Sequence, residues 1–156
     1  MARGDVHWFA QALLDGFKKK HDFSADTVKL GIVSNLPALT VNIANPFWGS
    51  SGGGTDLSAN QVALATGYAG PVTLASVTWT EVANVPTFAA NSVSVAQDAG
   101  GFANGAFGVI YNDTAANKPA FAFVDLGGPV GNQNGPLAIN WNSSAVSGPI
   151  LAITPA

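Results

Sequence analysis

Three observations predict a mainly β chain, an antiparallel, jelly-roll-like β-sandwich with one N-terminal α-helix. Only residues 5 to 20 repeat large apolar side chains every four positions; from Asp26 onward the apolar period is two, the spacing of a strand with one buried face. The strand-like runs are short and are punctuated throughout by Gly, Pro and Asn, and the chain holds 18 Gly and 9 Pro in 156 residues. About nine such runs after one helix is the count expected of two antiparallel sheets around one core.

The helix is predicted over Asp5–Lys20. Asp5 is the candidate N-cap, Phe9, Leu13 and Phe17 form the apolar stripe, and Trp8 and Ala12 widen it. Such a stripe suits either a sheet or a neighbouring subunit. Gly16 weakens the last turn, and Lys18, Lys19 and Lys20 stand at the negative end of the helix dipole, as a solvated helix end or as a contact for an acidic partner. Val28, Leu30 and Ile32 alternate with Thr27, Lys29 and Gly31, and Leu39, Val41 and Ile43 repeat the pattern, so both segments read as half-buried strands. The loop Asn45–Asp56 is glycine-rich yet carries Phe47 and Trp48, which either plug the end of the core or anchor a partner.

Further strands are predicted at Val62–Thr66, Val72–Glu81, Ser92–Ala96, Leu137–Asn142 and Ile150–Thr154. In the second of these the apolar parity changes from Val72 and Leu74 to Val77 and Trp79, which predicts a bend near Ser76. The strongest hairpin lies in Phe107–Leu126. Two apolar runs flank a break holding Asn112, Asp113, Asn117 and Pro119, and the second run is apolar on both parities, with Phe121, Phe123 and Asp125 on one face and Ala122, Val124 and Leu126 on the other. A hairpin buried on both sides requires sheet partners and a covering layer. The expected organisation is one domain over 1–156, a helical arm (1–24) followed by the β-sandwich (25–156).

Charge and chemistry narrow the function. A net charge of −3 with no clustered basic face predicts no nucleic-acid partner. No run of about 18 apolar residues occurs and the first residues lack an apolar signal core, so neither a membrane span nor secretion is expected. There is no Cys, hence no disulfide framework and no thiol nucleophile. His7 and His21 lack metal-ligand spacing, and Asp56, Glu81, Asp98, Asp113 and Asp125 are scattered one per segment rather than paired. The Gly49–Gly54 loop is followed by Thr-Asp, without the Lys of a phosphate-cradling loop, and the sequons at Asn112 and Asn142 match by composition alone. The expectation is a non-enzymatic protein with no cofactor and no metal.

Only 10% of residues are charged, against about a quarter in ordinary soluble domains, which predicts neutral or apolar surface covered by partners. The candidate interface residues are Trp8, Phe9, Lys18, Lys19, Lys20, Phe47 and Trp48. A glycan-binding module is the alternative of a different class, with Trp48, Trp79 and Trp141 as stacking candidates, although the parity of Trp79 and Trp141 predicts core.

The ordered segments Asp26-Thr-Val-Lys-Leu-Gly-Ile-Val33, Thr66-Gly-Tyr-Ala-Gly-Pro-Val-Thr-Leu74, Phe107-Gly-Val-Ile-Tyr-Asn-Asp-Thr114, Phe123-Val-Asp-Leu-Gly127 and Gly135-Pro-Leu-Ala-Ile-Asn-Trp-Asn142 follow the N-terminal helical pattern. The set resembles a family of small virion structural proteins of tailed bacteriophages, whose members tend to show "DTIKVAL", "TGYTAGGVTL", "AVIYKDT", "YVDFG" and "FTITWD" in that order. Pro71 stands where that family often has Gly, and Ser34–Ser50 is plainer and less acidic. The resemblance implies a capsid decoration or cement protein, made in the host cytoplasm and placed on the outer capsid. Its implied partners are the major capsid protein and itself, as a dimer or trimer. Relatives with tail or neck roles supply the alternative within the virion.

Overall fold

The computed structural model describes residues 4–34, 39–49, 53–141 and 147–152. In chain order the elements are β1 (Val6–Trp8), α1 (Ala10–Phe17), β2 (Val28–Ser34), β3 (Pro46–Phe47), β4 (Thr55–Asp56), a 3₁₀ turn (Leu57–Asn60), β5 (Val72–Thr73), β6 (Thr78–Val82), β7 (Val85–Asn91), β8 (Val93–Val95), β9 (Gly105–Asn112), β10 (Ala120–Val130), β11 (Leu137–Ile139) and β12 (Ser147–Ala152). The chain is mainly β, with antiparallel sheets and one α-helix. The largest sheet has the order β1-β10-β9-β2-β5; a three-stranded sheet runs β12-β7-β6, a two-stranded one β11-β8, and β3 and β4 form a short parallel pair.

The β9–β10 hairpin is the centre of the large sheet, flanked by β2 and β1. Its loop turns where Asn117 (φ 64°) and Lys118 (φ 42°) enter the left-handed region, which Asn tolerates better than most residues. Both faces of this sheet are buried. On one, Leu30, Ile32, Ile110 and Val124 pack with Phe88, Val93, Val95 and Ile139 from the smaller sheets; on the other, Val33, Val109, Tyr111 and Phe123 pack with Phe9, Leu39, Trp48 and Leu57. Each buried large side chain contributes about 1.5–3 kcal/mol through removal of apolar surface from water.

Several expectations are corrected. The helix begins later than predicted: Val6–Trp8 pairs with Val124–Ala122 at the sheet edge, so the first residues belong to the sheet and do not form a helical arm. Phe9, not Asp5, is the helix N-cap, and it makes no side-chain cap bond. In β10 a register shift between Ala120 and Ala122 turns Phe121 towards the cluster of Ala122 and Val124, while Phe123 lies in the opposite one. Strand β2 is buried on both faces rather than one, because the Trp48 ring covers Gly31.

Residues 39–43 form no strand. Instead of the strand predicted at Val62–Thr66, this segment covers the edge of β2, where Val62 N–H donates to the Ile32 carbonyl (3.1 Å) and the Tyr68 hydroxyl accepts from Ile32 N–H (2.9 Å). The bend near Ser76 is present, with Ser76 at φ 54° between β5 and β6. Strand β7 is not in the predicted set. Asn142, Ile153 and Thr154, the ends of two predicted strands, lie outside the described residues.

Candidate partner-binding face

The first turns of the chain are held from both ends. Phe9 N–H donates to the Phe121 carbonyl (2.9 Å) and Ala10 N–H to the Val41 carbonyl (2.8 Å), which fixes where α1 starts. The helix stops in a Schellman arrangement: Lys20 N–H reaches the Asp15 carbonyl (2.9 Å) and Lys19 N–H the Gly16 carbonyl (3.0 Å), with Lys19 at φ 58°. At eight residues α1 is too short to persist alone, so its orientation is set by what it buries, Ala12 and Asp15, beside the buried Phe9.

That orientation leaves the other side of the helix uncovered. Leu13 is 51% exposed, Leu14 45% and Phe17 87%. Beside them the chain folds back through His21 and Phe23 onto β6. Phe23 lies 5.0 Å from Phe121 and 5.5 Å from Trp79, and Trp79 meets Trp8 edge-on at 5.9 Å, all measured between ring centroids. Trp8, Leu13, Phe17, His21, Phe23 and Trp79 line an open apolar groove of about 260 Å³. Every residue of β6 is exposed, with Trp79 at 38% and Val82 at 58%. The helix and Trp79 thus form one apolar face along the groove, while Val82 points to the other side of β6.

The charges around it are few. Asp15 is buried; it accepts a hydrogen bond from Gln11 (2.9 Å) and forms an ion pair with Lys20 Nζ (2.8 Å). Lys20 is therefore directed onto its own helix, while Lys18 and Lys19 are exposed and Lys19 lines the cleft that adjoins the groove. His21 stacks on Phe23 at 5.4 Å, and burial holds its pKa below the usual imidazole value, against the opposing pull of Asp15 and Asp26.

Of the interface residues predicted from sequence, Trp8 lines this face, and Phe9, Phe47 and Trp48 are interior. Trp48 stacks flat on Tyr111 (5.1 Å, 2° between planes), and its backbone N–H donates to the Lys118 carbonyl (3.0 Å). The loop aromatics plug the core because β2 offers a glycine-floored slot that a flat ring fills. Trp79 departs from its predicted core position and is exposed; Trp141 is partly buried and donates from Nε1 to the Asn91 carbonyl (2.8 Å). Leu13, Phe17 and Phe23, which also line the groove, are absent from the predicted interface. The stripe Leu13–Phe17 carried the signal for two of them.

The scattered acids serve their own loops. Asp56 accepts from Gly49 N–H and Ser58 N–H (both 2.9 Å), Asp98 from Gly67 N–H (2.8 Å) and Gly100 N–H (2.9 Å), and Asp125 from Gly127 N–H (2.7 Å). Asp113 pairs with Lys29 (2.7 Å) and Lys118 (2.8 Å). Among the described residues, no three of His, Cys, Asp and Glu converge as a metal-binding group. No protein-family model, no curated protein and no solved structure matches the chain.

Proposed function

We propose that the chain is a non-enzymatic structural protein of a bacteriophage particle, a jelly-roll-like decoration protein that binds the outer capsid and bridges neighbouring capsid subunits. The observation that carries the reading is the exposed apolar groove lined by Leu13, Phe17 and Trp79 on a chain with 10% charged residues. Apolar surface of this kind on a soluble protein marks a contact site. The ordered sequence segments that resemble small phage virion proteins supply the identity of the assembly. On a lattice, each weak contact is amplified by repetition and by high effective concentration.

The test is binding of the purified protein to heads lacking it, compared with a Leu13→Asp/Phe17→Asp variant. Both side chains are exposed, so the variant stays folded, losing about 1–2 kcal/mol from the like-charged i,i+4 pair and the carboxylate at the helix C-terminus. Its occupancy on heads falls at least tenfold, the loss expected when about 1.4 kcal/mol of contact is removed. Undiminished occupancy rejects the face, and density of this mass in the tail or neck of a reconstructed particle replaces the head reading with the tail one. A glycan-binding reading has one observation in its favour, the exposed Trp79 beside Trp8 in an open groove. Glycan-array binding lost in Trp79→Ala would establish it.

A further inference from the structure

We infer that the chain forms a symmetric dimer by antiparallel pairing of β6 with β6 of a second copy, centred on Thr80. Strand β6 pairs with β7 on one side, and no strand among the described residues pairs with its other side. The register follows from the turn. Val82 pairs with Val85 across a two-residue loop in which Ala83 (φ 52°) and Asn84 (φ 65°) are both left-handed, the conformation of a type I′ hairpin. In such a hairpin the residues flanking the loop exchange both backbone hydrogen bonds, and pairs alternate from there. Val82, Thr80 and Thr78 therefore direct their backbone groups towards β7, and Trp79 and Glu81 direct theirs to the free edge. Pro86 agrees with this alternation, since it stands opposite Glu81, where no bond crosses to β6.

A free edge with this alternation is complementary to itself. With a two-fold axis at Thr80, Trp79 of each copy faces Glu81 of the other. Their outward N–H and C=O groups then close reciprocal hydrogen bonds, and the two Thr80 residues form a non-hydrogen-bonded pair. Moving the axis to Glu81 would set two carboxylates opposite each other, which is unfavourable. Glu81 shares a strand face with Trp79, and Trp79 and Thr80 line a cleft with Lys19. That cleft also holds His21 and the Asp22 carboxylate, so the second copy's Glu81 meets charges of both signs there. The inference is independent of the virion reading: it concerns the protein alone in solution.

The chain has no Cys, so Thr80→Cys introduces a unique thiol. Opposed residues of a non-hydrogen-bonded pair have Cα atoms about 4.5 Å apart, within the range a disulfide spans. Sedimentation of the unmodified protein should show a concentration-dependent monomer–dimer equilibrium. Under mild oxidation Thr80→Cys should yield covalent dimer at least tenfold faster than Val82→Cys, whose own counterpart lies distant in this register. A single monomeric species at all concentrations, or equal cross-linking of the two cysteine variants, would each overturn the inference. Head binding by a protein that stays monomeric would reject the dimer and leave the decoration reading standing.

Discussion

Asn112 shows how one polar side chain can organise two distant segments. It is fully buried, and its Oδ1 accepts from the N–H groups of Thr114 and Ala115, both at 3.0 Å, which starts the hairpin loop. Its Nδ2 donates to the Asp26 carboxylate and to the Lys20 carbonyl (3.3 Å), and so ties the segment after α1 to the sheet. The turn role is readable from sequence, since Asn favours such side-chain-to-backbone bonds. The second role is not, because it joins segments far apart along the chain. Asn112→Ala removes the partner of two N–H groups and of the Lys20 carbonyl, while the Asp26 carboxylate keeps the Asp22 N–H, and should cost about 2 kcal/mol. Urea denaturation measures this, and a loss below about 1 kcal/mol would mean that water replaces the amide. Lys19 gives the opposite sign. It occupies the left-handed position at the end of α1 where Gly is preferred, so Lys19→Gly should raise stability by about 0.5 kcal/mol in the same assay.

Among the elements, unbroken apolar runs were read correctly, whereas the alternations at Leu39–Ile43 and Val62–Thr66 were read as strands that do not form. The β9–β10 hairpin is built from two unbroken apolar runs, and its place inside a sheet followed from its two apolar faces. Strand β7 was hidden by Pro86 in its interior and by a turn of Ala83 and Asn84 that lacks the usual glycine signal, although its geometry is that of a common hairpin. The candidate face was partly visible. Leu13 and Phe17 belonged to a recognised stripe, but only the folded chain shows that β1 draws Phe9 inward and leaves the other two outside. Strand β2 looked half exposed because Gly31 has no side chain to declare what lies over it. A Cβ at Gly31 would run into the Trp48 ring. Gly31→Ala must therefore expel that ring from its stack on Tyr111, at a cost of about 3 kcal/mol. Calorimetry reads the cost, and loss of the near-ultraviolet circular dichroism signal of the stacked pair reports its cause; an unshifted melting temperature would show that the slot is wider than the geometry implies.

For the whole molecule, low charge means that stability rests on packing, with pH entering through a few titrating groups. His21 sits where the N-terminal segment closes over Phe121 and Phe23, with Asn112 at its Nδ1 (3.3 Å) and Asp15, Asp26 and Lys20 as the surrounding charges. Burial lowers its pKa in the folded state, so between that value and the unfolded value of about 6.5 the unfolded chain binds more protons. Folding stability from this site is complete above about pH 6.5 and falls as pH drops through that window. Asp113 behaves differently. Burial pushes its carboxyl up, but hydrogen bonds and charge from Lys118 and Lys29 outweigh burial and hold it below the ordinary value. Its contribution is present above the unfolded carboxylate value of about 3.9 and is lost only below it. Stability measured by urea midpoint should therefore decline in two steps on acidification, the first beginning near about pH 6.5 and the second below about pH 4. His21→Gln should abolish the first step and keep the second, while Lys118→Met should diminish the second and keep the first. A single acid transition unaffected by His21→Gln would show that the N-terminal closure over Phe121 is already open to water at neutral pH.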